Sequence, residues 1–361
     1  MWNADRGMRL LLERGIRLAI AGATVGALIL MAPNSAHAVL ADPIPDPEQS
    51  IIGGTVSDWA AYPYIVKLSN GCTATLIAPT SVLTAQHCVV GHGPLSAYFS
   101  NGRSAPAPAY STMPGFNPDS PWRYDLAILS VPSAETVGVP IVQVGSPWRT
   151  DIYRPGVMAT IAGIGANRGD GTGGGILRAA DVPILSDDAM DDVYNPWYWF
   201  DYWIEHLMIG AGGSARSICY GDSGGPLLVW DHARGRVVQV GVTSWTTEGC
   251  NTPAAFMELA GPNLAWLASM QPSVRSGWGS CTAPDGQPGV SDVGWGQTYP
   301  GGPSENGIQW RLRCIAQPTG PLPPAPVPDP EDNPPPPPGC YPDLAAGLKP
   351  DLEPSARHCP R

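Results

Sequence analysis

The residues best suited to chemistry lie in segment 219–226, which reads Cys-Tyr-Gly-Asp-Ser-Gly-Gly-Pro. This segment places the hydroxyl of Ser223 next to the carboxylate of Asp222 and among three glycines. A serine hydroxyl is a poor nucleophile at neutral pH, so it needs an adjacent base and donors for the oxyanion that forms on the attacked carbonyl. Glycines let the backbone approach that carbonyl closely. The segment therefore predicts a turn that carries a catalytic serine.

The serine turn by itself does not determine the fold. Residues 221–225 also fit the G-x-S-x-G turn of the α/β-hydrolases, in which an acid and then a histidine follow the serine. The histidines that follow the serine here are His232, in a predicted hairpin turn, and His358. Upstream, by contrast, His87 lies in Leu-Thr-Ala-Gln-His-Cys and Asp125 lies in Tyr-Asp-Leu-Ala-Ile-Leu. The chain order is therefore His, Asp, Ser.

These three segments, in this order and spacing, resemble those of the trypsin/chymotrypsin-like serine proteases, and the resemblance covers residues 51–271. It implies that His87 is the general base for Ser223 and that Asp125 fixes the tautomer of the imidazole. A rival base is His92, although a loop histidine between glycines is more often exposed to solvent. The resemblance also implies an all-β fold of two packed six-stranded antiparallel barrels, with the three side chains in the cleft between them.

Residues 51–54, Ile-Ile-Gly-Gly, resemble the mature N-terminus of the same family. In that family a newly freed α-amine, here that of Ile51, folds inward and pairs with the acid before the nucleophile, here Asp222. A buried ion pair is stable only when both charges are present. The alternative is that Ile51 simply begins the first strand. The preceding residue is Ser50, so a trypsin-like activator would not cut there, whereas self-processing would fit.

The resemblance implies the remaining site residues. The N–H groups of Gly221 and Ser223 would form the oxyanion hole. A substrate would pair as an added strand beside a pocket whose implied residues are Ser217 at the floor, Ser244, Trp245, and Thr246 and Ala254 on the walls. The uncharged floor disfavours Arg and Lys, and the wall side chains narrow the opening. We therefore expect an elastase-like preference for Ala, Ser, Val or Thr before the cleaved bond.

The first fifty residues predict export. Four arginines precede residue 18, an apolar run covers residues 18–32, and Ala-His-Ala at 36–38 fits a small-x-small cleavage signal. A signal peptide over residues 1–38 is favoured over a membrane anchor because the apolar run is short for a membrane span. Residues 39–50, which are acidic and contain proline, are a predicted propeptide. The protein is therefore expected outside the cell or at the cell envelope.

Composition argues against some partners and cofactors. Charged residues make up 14% of the chain, the formal net charge is −11, and no Lys/Arg-rich run follows the predicted signal peptide, so nucleic acid is not an expected partner. Eight cysteines in an exported chain indicate disulfides rather than a metal site. A bridge between Cys72 and Cys88 would hold the strand end that carries His87. A bridge between Cys219 and Cys250 would join the serine turn to the pocket.

From residue 61 onward, short apolar runs alternate with turn residues, which is typical of an all-β fold. The predicted elements include strands over 157–164 and 180–185 and a hairpin over 226–245. The resemblance implies a closing helix over 261–270, in which Pro262 suits the first turn and Leu264, Leu267 and Met270 mark one face. The dense aromatic stretch 194–203 would either form the rim of the substrate cleft or pack against the second barrel.

Beyond residue 271 the resemblance ends. Residues 272–320 form a small appendage rich in Gly, Cys and Trp, whose tryptophans would either bind a sugar or peptide or pack on the protease. Residues 321–339 are a predicted polyproline spacer, and residues 340–361 are a tail that would contact the cell envelope. Four cysteines allow three pairings, so the connectivity of this region stays open among Cys281, Cys314, Cys340 and Cys359.

The sequence thus predicts a secreted, monomeric serine endopeptidase that hydrolyses protein or peptide substrates through an acyl-enzyme and requires no metal or cofactor. Two other classes remain as alternatives. A catalytically silent binding protein with the protease fold would normally lack a member of the triad, and none is missing. An α/β-hydrolase esterase is disfavoured by the order of the three residues along the chain.

Overall fold

Short strands are the main regular elements of the computed structural model, which describes residues 51–116, 123–195, 202–284, 286–297 and 308–316. The predicted signal peptide and propeptide, the polyproline spacer, and the tail with Cys340 and Cys359 lie outside the described residues. Among the residues that are described, no helix is long and apolar enough to cross a membrane.

The strands of the described part are, in chain order, β1 (Thr55–Val56), β2 (Ile65–Leu68), β3 (Thr73–Ala78), β4 (Ser81–Thr84), β5 (Leu95–Tyr98), β6 (Ser104–Ala107), β7 (Ala109–Thr112), β8 (Ala127–Ser130), β9 (Gln143–Val144), β10 (Met158–Gly163), β11 (Arg178–Pro183), β12 (Met208–Ala211), β13 (Pro226–Asp231), β14 (Arg236–Trp245), β15 (Ala254–Glu258), β16 (Cys281–Thr282), β17 (Pro288–Gln297) and β18 (Ile308–Ala316). The α-helices are α1 (Asp187–Tyr194) and α2 (Gly261–Met270), and the 3-10 turns are Gln86–Cys88, Thr150–Ile152 and Pro272–Gly277.

The first barrel-like sheet contains seven antiparallel strands in the order β6-β5-β2-β3-β4-β8-β7. Every residue of β3 and β4 is buried because both faces of this hairpin are covered. Alternate residues of a strand point to opposite faces. Leu76 and Val82 accordingly pack in the core of the first sheet, whereas Ile77 and Leu83 pack in a cluster shared with the second sheet and α2. The hairpin therefore joins the two halves of the fold.

The second sheet contains eight strands, of which β1 and β9 are only two residues long. Its longer strands follow the order β11-β10-β13-β14-β15-β12, and a bridge between Ile184 and Ala211 nearly closes the ring. The predicted hairpin over residues 226–245 is present as β13 and β14. The prediction of an all-β fold with two barrel-like sheets is therefore confirmed, with seven strands instead of six in the first sheet and two short extra strands in the second.

Helix α2 begins and ends where the sequence predicted. Pro262 lies in its first turn, and Leu264 and Leu267 are buried in the cluster between the sheets. Met270, which was predicted to share their face, is 40% exposed, so that part of the prediction was wrong. The reason is that residues 263–268 are buried on all sides, whereas the last turn of the helix emerges into solvent.

The appendage after α2 packs on the protease as a three-stranded antiparallel sheet of β16, β17 and β18. Trp278, at its start, is fully buried, and its C=O accepts a hydrogen bond from Oγ of Ser146 at 3.0 Å. Nε1 of Trp148 donates to Oγ of Ser291 on β17, also at 3.0 Å. Cys281 and Cys314 form a disulfide within the sheet. For Trp278 these contacts favour packing over ligand binding, while the side chains of Trp295 and Trp310 lie outside the described part.

The burial of Trp278 predicts that the appendage stabilises the protease. Trp278→Ala should lower the free energy of unfolding by about 3–5 kcal/mol, because it leaves a cavity where a large aromatic ring was packed. Trp230→Ala is the matched control, since Trp230 is 48% exposed on β13, and it should change stability far less. Urea denaturation measures both variants, and equal small changes in the two would contradict the prediction.

Candidate active site

The imidazole of His87 is bound to the carboxylate of Asp125. His87 lies in the 3-10 turn that follows β4, and Asp125 precedes β8, the strand that pairs with β4. Nδ1 of His87 lies 2.7 Å from Oδ2 of Asp125, and the backbone N–H of His87 donates to Oδ1 of the same carboxylate at 2.9 Å. Strand pairing within the first sheet therefore builds this contact.

The surroundings of this pair suit proton transfer. Burial lowers the pKa of His87, but the charge of Asp125 and the hydrogen bond to it outweigh burial, so the pKa lies above the usual 6.5. Asp125 is fully buried, and Oγ of Ser244 on β14 donates to its Oδ2 at 2.6 Å. A buried carboxylate needs such donors to remain charged. With Nδ1 bound to Asp125, Nε2 of the neutral ring can accept a proton.

The turn that carries Ser223 is bound to the hairpin that leads to His87. The N–H of Thr73 on β3 donates to the C=O of Ser223 at 3.0 Å. A Cβ on Gly224 would lie 2.0 Å from Oγ1 of Thr84 on β4, so only glycine permits this close approach. Within the described residues no hydrogen bond joins the Ser223 hydroxyl to the His87 ring. In enzymes such bonds are often long until substrate binds.

Three disulfides hold the described part of the chain. The predicted bridges Cys72–Cys88 and Cys219–Cys250 are both present, and the third is Cys281–Cys314. The first bridge joins the start of β3 to the turn that carries His87. Although the sulfurs of Cys72 and Cys88 lie near His87, a disulfide sulfur is not a thiolate ligand, so this cluster does not form a metal site.

The backbone N–H groups of Gly221 and Ser223 are available for an incoming ligand. In the part of the chain that the structure describes, no hydrogen bond occupies either group. Gly221 has a φ of +93°, a region that favours glycine, and its C=O accepts a hydrogen bond from Oγ1 of Thr73 at 2.9 Å. Two free donors on one tight turn are the arrangement that binds an oxyanion.

Asp222 is buried beneath this turn. Its Oδ1 accepts the N–H of Gly165 at 2.9 Å, and its Oδ2 accepts the N–H of Cys219 at 2.8 Å. Burial raises the pKa of Asp222 to about 7, although these two hydrogen bonds act in the opposite direction. A Cβ on Gly163 would lie 2.2 Å from Oδ1 of Asp222, so glycine is needed there. No ion pair among the described residues includes this carboxylate.

Ile51, the predicted partner of Asp222, is also fully buried. It packs in the core of the second sheet beside Ile218. Its φ of +48° is rare for a β-branched residue and is therefore strained. The chain is continuous through residue 51, so the nitrogen of Ile51 is an uncharged amide and provides no cation for Asp222.

Two of the predicted pocket residues, Ser217 and Thr246, bind Thr252, which the sequence did not indicate. Oγ of Ser217 donates to the C=O of Thr252 at 2.7 Å, and Oγ1 of Thr246 lies 3.2 Å from Oγ1 of Thr252. Ser217 and Ala254 have no exposed surface. Ser217, the predicted floor, and Thr246, a predicted wall residue, are therefore joined through Thr252, and solvent does not reach Ser217.

The two other pocket residues end β14 and differ in their contacts. Ser244, predicted only as part of the substrate strand, directs its hydroxyl to Asp125 instead. Trp245 makes an edge-on contact with Tyr194, with the ring centroids 4.4 Å apart. The hydroxyl of Tyr194 donates to the C=O of Pro253, the residue before Ala254. This end of the aromatic stretch therefore packs against the second sheet, while residues 196–201 lie outside the described residues.

Helix α1, which carries Tyr194, was missed by the sequence reasoning. Its signal is Ser186, whose side chain accepts the N–H of Ala189 as an N-cap, followed by Asp187 and Asp188 in the first turn.

His92, the rival base, is exposed and lines a cavity of ≈ 230 Å³ together with Tyr110, and it forms no hydrogen bond with Asp125.

The chain is similar to a known protein family and to several known proteins. The family model described as Trypsin matches residues 51–267. The chain is 31% identical over 261 residues to a trypsin-like protease of Streptomyces glaucescens, in an alignment that covers 68% of this chain and 88% of that protein. The chain belongs to the trypsin family.

Further relatives of this trypsin-family chain support the same conclusion. A trypsin of Saccharopolyspora erythraea is 30% identical over 219 residues, covering 56% of this chain and 89% of that protein. Human Serine protease 56 is 31% identical over 251 residues, which are 62% of this chain and 40% of that protein. The solved structure of HL collagenase, 23% identical with a TM-score of 0.52, covers 62% of this chain and 99% of its own and has the same fold. The chain is a serine-type endopeptidase.

The pKa of Asp222 predicts how the stability of the uncleaved chain depends on pH. Its value of about 7 in the folded state exceeds the ordinary 3.8, so folding favours the protonated carboxyl. The stabilisation is complete below pH 3.8 and is lost as the pH rises through about 7. Urea denaturation of the Ser223→Ala chain at about pH 5 and about pH 8 should show this fall.

Asp222→Asn in the same background is the control, because an amide does not titrate. It should remove the part of the fall that is due to Asp222 and leave the contributions of Glu258, whose pKa burial raises to about 8, and of His87, whose raised pKa acts with the same sign. An equal fall with and without the Asp222 carboxyl would contradict this assignment.

Proposed function

We propose that this trypsin-family protease is a secreted endopeptidase in which Ser223 is the nucleophile, His87 the general base and Asp125 the acid that orients it. One observation carries the proposal. The His87 ring is bound to a buried carboxylate, at the end of the same hairpin that binds the backbone of Ser223. This is the relative placement that a base needs to activate a serine. A silent binding protein would have no need of it.

The geometry supports the following steps. Ser223 attacks the substrate carbonyl while Nε2 of His87 takes its proton, and Asp125 stabilises the imidazolium. The N–H groups of Gly221 and Ser223 bind the tetrahedral oxyanion, and loss of one such donor typically costs about 3 kcal/mol of barrier. His87 then protonates the leaving amine. Water, activated by the same base, releases the acyl-enzyme.

Covalent labelling by a fluorophosphonate tests the triad. The wild-type protein should be labelled at Ser223, and Ser223→Ala should abolish labelling. His87→Ala should slow labelling by roughly 10³-fold or more, because the hydroxyl loses its base. The matched control is His92→Ala, which removes the rival histidine and should leave the rate within about twofold.

The opposite pattern, with His92→Ala inactive and His87→Ala active, would overturn the assignment of the base. An unlabelled wild-type protein would support the silent binding protein instead. N-terminal sequencing of the labelled protein should begin at Ile51, and a different mature N-terminus would overturn the proposed cleavage site.

Cleavage before Ile51 is the second part of the proposal. Asp222 is buried with two backbone donors and no cation among the described residues, so the α-amine freed at Ile51 would supply the missing charge. Release of the chain before residue 51 would also relieve the strained φ of Ile51. Ser50 is small and fits the pocket proposed next, which supports self-processing.

The third part is a preference for small side chains before the cleaved bond. Ser217 carries no charge and uses its hydroxyl to bind Thr252, so nothing at the floor would neutralise a substrate Arg or Lys. Burial of Ser217 and Ala254 leaves little depth for a large side chain, and Thr246 narrows the entrance further. A closed pocket of this kind disfavours large residues on steric grounds.

A library of peptide substrates tests this preference. We expect kcat/KM for Ala, Ser, Val or Thr before the cleaved bond to exceed that for Arg, Lys or Phe by at least about tenfold. Ser223→Ala, assayed in parallel, reports background hydrolysis by contaminants. A clear preference for Arg, Lys or Phe would overturn the small-residue assignment while leaving the triad untouched.

Export and the cell-envelope contact of residues 340–361 stay proposals, as does a monomeric state. The disulfides of the described part support export, because such bridges form in oxidising compartments. The signal-like pattern of residues 1–38 supports it independently. Substrates are proteins or peptides, as expected for the family.

A further inference from the structure

Thr73, the first residue of β3, connects the serine turn with another segment of the cleft. Its side chain is fully buried. Its Oγ1 donates to the C=O of Gly221 at 2.9 Å and accepts the N–H of Ile164 at 3.2 Å. One hydroxyl therefore joins a proposed oxyanion donor to the end of β10, next to Gly165, which binds Asp222.

The backbone of Thr73 forms hydrogen bonds with Ser223 itself and with Thr84, which lies on the strand before His87. Its N–H donates to the C=O of Ser223 at 3.0 Å. Its C=O accepts a hydrogen bond from Oγ1 of Thr84, also at 3.0 Å, and Thr84 ends the strand that leads to His87. Each polar atom of this one residue is therefore bonded to a different part of the cleft.

We propose that the Thr73 hydroxyl is a positioning group for the oxyanion hole, an inference that rests on the proposed function. Gly221 has no Cβ, so its backbone rotates more freely than that of any other residue. An oxyanion hole lowers the barrier only if its donors already point to where charge develops. By binding the C=O of Gly221, Thr73 restricts this rotation and keeps the N–H of Gly221 directed into the cleft. Thr73 acts through Gly221 and does not touch the substrate.

Thr75 provides a matched control for this role. It lies two residues further along β3 and is also fully buried, and its hydroxyl donates one hydrogen bond, to Oε1 of Gln239 on β14 at 2.9 Å. The same chemical change at Thr75 removes a buried hydroxyl without touching the serine turn. A larger loss of kcat at Thr73 therefore reports on the two contacts of its hydroxyl, with the C=O of Gly221 and the N–H of Ile164.

The experiment compares Thr73→Val, Thr73→Ser and Thr75→Val in the mature enzyme. We expect Thr73→Val to lower kcat on a peptide amide by at least about tenfold with little change in KM, since oxyanion donors act on the transition state. The Kd of a peptide aldehyde, which forms a tetrahedral adduct, should rise by the same factor. Thr73→Ser keeps the hydroxyl and should stay within about threefold of wild type. Thr75→Val should lower thermal stability but leave kcat within about twofold.

Equal effects of Thr73→Val and Thr75→Val on kcat would overturn the positioning role. If Thr73→Val does not fold, Thr73→Ala and Thr73→Ser form the second pair, which differs by one hydroxyl, and equal kcat values in that pair would overturn the role as well. Fluorophosphonate labelling separates the two proposals. Labelled wild type with unchanged kcat in Thr73→Val overturns only the role of Thr73, whereas unlabelled wild type overturns the triad and this inference together.

Discussion

The buried carboxylate of Asp125 is the group on which the arrangement of the cleft depends. It has no exposed surface, and the ring and backbone N–H of His87 and the hydroxyl of Ser244 supply the hydrogen bonds that offset its burial. His87 and Asp125 belong to the first sheet, whereas Ser244 belongs to β14 of the second. The two sheets must therefore pack in one relative position for this carboxylate to be fully bound.

A second buried carboxylate organises the serine turn. Asp222 accepts backbone N–H groups from Gly165 and Cys219, and glycines at 163 and 165 leave the space that its side chain needs. Thr73 holds the same turn from the other side through the C=O of Gly221. The two carboxylates differ in whether a group that can carry positive charge lies beside them. Asp125 lies beside a ring that can become charged, whereas Asp222 has no cation among the described residues, and burial raises its pKa.

The appendage extends the core of the protease rather than forming a separate module. The hairpin turn between β13 and β14 contains Asp231, which is buried and binds the guanidinium groups of Arg149 and Arg234 at 2.7 and 2.9 Å. Arg234 also donates to the C=O of Trp278. A buried carboxylate bound by two guanidiniums gives the turn a defined shape, because planar guanidinium groups bind in fixed directions. The appendage therefore docks on a rigid part of the second sheet.

From the sequence alone, the order of His87, Asp125 and Ser223 and the hairpin of β13 and β14 could be predicted, and the family resemblance added helix α2. The hairpin follows from turn residues and from the period of apolar residues, and Pro262 marks the first turn of the helix, and these signals act over a few neighbouring residues. The prediction that Met270 packs with Leu264 and Leu267 failed, because the exposure of Met270 depends on how far the surrounding protein covers the end of α2.

Which polar groups meet became visible only in the folded chain. Thr73 binds Gly221, Ser244 binds Asp125 and Ser217 binds Thr252, and each pair is far apart along the chain. A strand period indicates which face a side chain lies on, but not which distant strand packs against that face. The partners of these hydroxyls were therefore set by the packing of the two sheets, which no local pattern in the sequence records.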